Sequence, residues 1–132
     1  MKYKQLLAGY ILLMIVLALL PINGKNASMN HTYVLDLRLD YLVHGLVFIP
    51  LITLACMAFP GYRRGKRFWQ GFLLVCACMV IAAFCEIIQY PLTYRTFNVN
   101  DLAANITGVL TGLPGMWIAG KIMAGGNLKR DA

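Results

Sequence analysis

The sequence predicts an all-α membrane protein, a four-helix transmembrane bundle with both termini cytoplasmic, on three observations. Of its 132 residues, 60% are hydrophobic and 13% charged, about half the charged share of a soluble domain. The apolar residues fall into four runs, at about 6–22, 39–59, 68–90 and 101–123, each near the ~20 residues that cross a bilayer as a helix. Short polar connections separate the runs, and only helices or closed barrels satisfy the backbone in lipid. The chain reads as one transmembrane domain over 1–132, with no room for a soluble catalytic domain.

The first run follows Lys2 and Lys4 and resembles a secretory signal. No small-x-small cleavage site follows it, so an uncleaved span is expected. Residues 23–38 carry Asn, Gly, Ser and His and read as a loop. The second run opens with Asp40 and His44 and contains Pro50, an expected kink. It stops at Pro60-Gly61, before the basic turn of Arg63, Arg64, Lys66 and Arg67. The third run is apolar until Glu86 and Gln89, and Pro91 ends it. Asn98 is placed to cap the fourth. The four cysteines, Cys56, Cys76, Cys78 and Cys85, match neither a zinc spacing nor a disulfide framework and are expected to be apolar fillers.

Basic residues near span ends favour the cytoplasm. With both termini inside, nine of the twelve Lys and Arg lie on the inner side, and Lys25, Arg38 and Arg95 remain outside. Four of the five acids, Asp36, Asp40, Glu86 and Asp101, fall outside. The formal charge of +7 then reflects orientation and attraction to an anionic inner leaflet rather than nucleic-acid binding.

This topology brings the start of the second span, the end of the third and the start of the fourth to one face. Asp40, His44, Glu86, Gln89, Arg95, Asp101 and Asn105 should converge there, and polar groups at membrane depth mark a functional site by default. Asp40 and His44 share a helix face; the pair suits a carboxylate orienting an imidazole, two metal ligands, or a purely structural contact. Glu86 requires a donor or cation, with His44 and Arg95 the expected partners. Arg95 suits an anionic group or pairing with Asp101. On the fourth span Asp101, Asn105, Gly108 and Gly112 form one stripe, in which the two glycines permit close helix approach.

These residues carry a resemblance to the VanZ-like family of small bacterial membrane proteins, named after a protein that lowers sensitivity to teicoplanin. The matching pattern is Asp40-x-x-x-His44, Glu86-x-x-Gln89, Arg95, then Asp101-x-x-x-Asn105-x-x-Gly108-x-x-x-Gly112. Tyr41 stands where family members often have Lys. The resemblance implies a multi-pass protein of the cell envelope.

Three functions compete at this level. The first is a binding protein for a polar or anionic headgroup at the outer face: an envelope lipid, a lipid-linked wall precursor or an amphiphilic antibiotic. The second is an intramembrane hydrolase of a lipid-phosphate or ester bond, using Asp40, His44 and Glu86. The third is a structural subunit joined to another copy or another membrane protein through the glycine stripe. No catalytic residue, metal ligand or cofactor is assigned from sequence alone.

Overall fold

The computed structural model describes residues 2–20, 33–34, 37–59, 67–92 and 97–128. Helix α1 covers Lys2–Leu19, and a two-residue antiparallel pair, β1 (Tyr33–Val34) with β2 (Leu37–Arg38), leads into α2 (Leu39–Ala58). Helix α3 covers Arg67–Ile87, α4 Val99–Thr111 and α5 Leu113–Leu128. Among the described residues, four segments are long and apolar enough to cross a membrane: Lys2–Leu19, Leu39–Ala58, Trp69–Ile87 and Val99–Met123.

Four spans were expected and four are present among the described residues, with departures in detail, beginning with α1, whose helix starts at Lys2 and ends at Leu19 rather than covering about 6–22. The end of the expected 23–38 loop pairs as β1–β2. The helical part of the third span stops at Ile87, three residues short of the expected end, and continues as turns to Pro91. There the amides of Gln89 and Tyr90 reach back only three residues, to the carbonyls of Glu86 and Ile87, a tightening typical of a helix end. The fourth span is two abutting helices rather than one. Pro114 has no N–H to offer the carbonyl four residues back, and the break falls at Gly112, whose backbone stays near helical (φ −75°, ψ −10°). Helix α2, by contrast, runs unbroken through Pro50.

Contacts along the spans fix their directions. Lys4 at the start of α1 lies over the ring of Phe59, just past the end of α2, and Tyr10 donates to the Val47 carbonyl (2.6 Å), so α1 and α2 are antiparallel. Helices α2 and α4–α5 run parallel, from His44 against Asn105 at one end to Cys56 against the Met116 carbonyl at the other.

Between these two contacts α2 and α4 meet at backbone distance. A Cβ on Gly108 would collide with the carbonyl of Gly45, and one on Gly112 with that of Ile49. The glycine stripe is therefore occupied by the chain's own second span. In lipid no hydrophobic drive separates helix from solvent, so close van der Waals packing of small residues holds spans together.

The distribution of polarity is inverted relative to a soluble domain. Trp69, Val80 and Ile122 are each about two-thirds exposed (67%, 68% and 69%), whereas soluble proteins rarely expose apolar patches on that scale. The centre holds Leu51, Ile52, Ala82 and Val109, together with Cys56, Cys78 and Cys85. All four cysteines are free thiols.

Candidate functional site

Asp40, Glu86, Gln89, Asp101 and Asn105 are all buried, between 0% and 6% exposed, and belong to α2, the end of α3 and α4. Their placement follows from two repeated spacings. Asp40 and His44 are one turn apart on α2, and Asp101 and Asn105 are one turn apart on α4. Because the two helices are parallel and in close register, the aspartates lie at one level and the His44–Asn105 pair one turn deeper.

His44 Nδ1 and Asn105 Oδ1 are 3.0 Å apart. With Nδ1 donating, the Nε2 lone pair faces Asp40, whose Oδ1 is 3.7 Å away. Asp40 Oδ2 faces Arg38 Nη2, also at 3.7 Å. Arg38 in turn donates to the Tyr41 hydroxyl (2.9 Å) and stacks over its ring. The Asn100 amide reaches the same hydroxyl at 3.3 Å.

Asn98 joins the third span to the fourth. Its Oδ1 caps α4 by accepting from the Asn100 amide (3.0 Å), as the sequence predicted. Its backbone N–H donates to Glu86 Oε1 (3.1 Å) and its Nδ2 to Asp101 Oδ1 (3.1 Å). Glu86 thus receives a backbone donor; of its two expected partners, only His44 is among the described residues. His44 is engaged by Asn105 instead, and Arg95 lies outside the described residues, as do Arg63, Arg64 and Lys66. Gln89 donates to the carbonyl of Cys85 (3.1 Å), which ties its amide to the end of its own helix.

Asp40, His44 and Asp101 bring one potential ligand atom each within 4.8 Å of one another. Glu86, which the hydrolase alternative placed in this set, is not part of it; Asp101 takes that position. Arg38, Tyr41, Asn98 and Asn100 were not singled out as site residues from sequence. Only the capping position of Asn98 carried a signal, because a tyrosine or asparagine at a span end is common without any role.

Beside the cluster, a groove of about 440 Å³ runs between α2 and α4, from Tyr41 and Asn100 past Gly45 and Ala104 to Ile49 and Thr111. Eight to eleven helical residues correspond to about 12–16 Å, half the ~30 Å hydrocarbon thickness. Beyond Tyr41 and Asn100 at its mouth its walls are apolar apart from threonines, and Thr107 and Thr111 return their hydroxyls to the carbonyls of Ala103 and Thr107 (2.7 and 2.8 Å).

These features define a small multi-pass helical membrane protein that gathers polar side chains inside one end of its bundle. The sequence signature of the VanZ/LLP1 family matches residues 7–120. The chain belongs to that family. No curated protein and no solved structure gives a significant match.

Proposed function

We propose that the chain is a receptor for an envelope amphiphile in the outer leaflet of the cytoplasmic membrane. The headgroup sits at the polar end of the bundle and one hydrocarbon chain lies in the α2–α4 groove. The observation that carries this reading is the continuity of the two features. A slot one leaflet long ends at Tyr41 and Asn100; the Tyr41 hydroxyl bonds both Asn100 and Arg38, and Arg38 faces the buried Asp40. A polar head on an apolar tail has that shape, and the volume falls in the usual range of small-molecule sites.

The roles divide accordingly. Arg38 meets an anionic oxygen of the headgroup, held in place by its stacking on Tyr41. Asn100 and the Tyr41 hydroxyl offer hydrogen bonds at the mouth, and the glycine contact keeps both walls of the groove fixed. Arg95 is a second candidate for the anion on sequence grounds. The distribution of basic residues supports N-in/C-in topology, with the cluster outside. Lipid-linked wall precursors and lipoglycopeptides such as teicoplanin share this amphiphilic chemistry, so sequestration of one or protection of the other would give glycopeptide resistance.

The test is native mass spectrometry of the purified chain with anionic phospholipid, with a polyprenyl-phosphate precursor and with teicoplanin in separate arms. Wild type should retain one of them, and Ala103→Phe, which fills the groove, should release it. Equal retention of all three by wild type and variant alike would reject the proposal.

A further inference from the structure

We propose that Asp40, His44 and Asp101 bind a single divalent transition-metal ion of the zinc or manganese type between the first turns of α2 and α4. The site goes beyond the amphiphile reading and does not depend on it.

Four observations lead there. The three candidate ligand atoms lie within 4.8 Å of one another, on helices whose spacing the Gly45–Gly108 contact fixes. His44 Nε2 and Asp40 Oδ1 are 3.7 Å apart, too far for a good hydrogen bond. Two ligands bound at about 2.1 Å to one ion are separated by roughly 3–4 Å, so the spacing suits shared coordination.

Each ligand also has a supporting partner of the kind that orients metal ligands. Asn105 holds His44 Nδ1, Asn98 holds Asp101 Oδ1, and Arg38 faces the far oxygen of Asp40. The support on His44 leaves Nε2, a ring nitrogen common as a metal ligand, turned toward the carboxylates.

Finally, Asn105 is 1% exposed, yet its Nδ2 has no partner among the described residues. A buried donor on the residue that holds His44 calls for an acceptor in this polar pocket. One imidazole with two carboxylates selects zinc or manganese over calcium and magnesium, which favour all-oxygen sets. The ion also offsets the charge of two carboxylates buried together.

The experiment uses the full chain in detergent micelles, stripped of metal and titrated with Zn²⁺ alone, with bound metal counted by elemental analysis. Wild type should hold about one ion per chain. His44→Gln and Asp101→Asn should each weaken binding at least a hundredfold, and Asn105→Ala about 10–100-fold, all with unchanged helix content. Replacing the four cysteines with alanine should leave binding intact. If a variant fails to fold, the electronic spectrum of Co²⁺-loaded wild type decides: nitrogen and oxygen ligation without a thiolate charge-transfer band supports the site. No stoichiometric ion in wild type, full binding by His44→Gln, loss of binding without the cysteines, or a thiolate band would each overturn it.

Discussion

His44 and Asn105, sixty-one residues apart in sequence, meet at 3.0 Å between two parallel spans, and this contact sets the depth of the polar cluster. Interhelical hydrogen bonds in membranes average about 0.6 kcal/mol and reach about 1.7. A double-mutant cycle with His44→Ala and Asn105→Ala, read by unfolding in mixed micelles, should return a coupling in that range. Strictly additive losses would mean the two side chains do not meet.

The glycine contact gives a prediction with a definite sign. Alanine is normally about 1 kcal/mol better than glycine in a helix, but a methyl group on Gly108 would strike the Gly45 carbonyl and the Phe48 Cβ. Gly108→Ala should therefore destabilise by about 1–3 kcal/mol. Gly9 has nothing within 4 Å of its would-be Cβ, so Gly9→Ala should be neutral or mildly stabilising in the same unfolding assay.

Glu86 serves as acceptor for the backbone N–H of Asn98. Glu86→Gln keeps an acceptor of the same length and should lose little stability. Glu86→Ala removes it and leaves a void at a fully buried position, at a cost of about 2–4 kcal/mol. Comparable stability of the two variants would argue against that bond.

Orientation is open to direct labelling. In a cysteine-free background, a membrane-impermeant thiol reagent applied to intact cells should modify Asn23→Cys and spare Gly65→Cys. The opposite pattern would put the cluster on the cytoplasmic side and remove the outer-leaflet receptor from consideration.

Much of the fold was legible because its signals are strong and local: four apolar runs, a helix stop at Pro60-Gly61, a cap at Asn98. Convergence of Asp40, His44, Glu86, Asp101 and Asn105 followed from alternating span direction alone. The partner of each group did not. Sequence spacing gives face and depth but not rotation about the helix axis: of the two partners expected for Glu86, His44 turns to Asn105 and Arg95 lies outside the described residues, while the Asn98 backbone N–H that does reach Glu86 was not foreseen. Arg38 and Tyr41 were not picked out as site residues, because their contacts depend on how the entry to α2 packs beside Asn100. The break at Gly112 was masked by apolar residues on both sides, although Pro114 signals it.

Parallel placement of α2 and α4 has an electrostatic result. Each helix presents roughly half a positive elementary charge at its amino end, and here two such poles stand side by side where the medium screens weakly, with Asp40 and Asp101 in the respective first turns. Antiparallel neighbours would have set one pole against its opposite. This pair instead sums to nearly a full positive unit, which the two aspartate carboxylates meet, so the backbone itself favours an acidic residue in the opening turn of each helix.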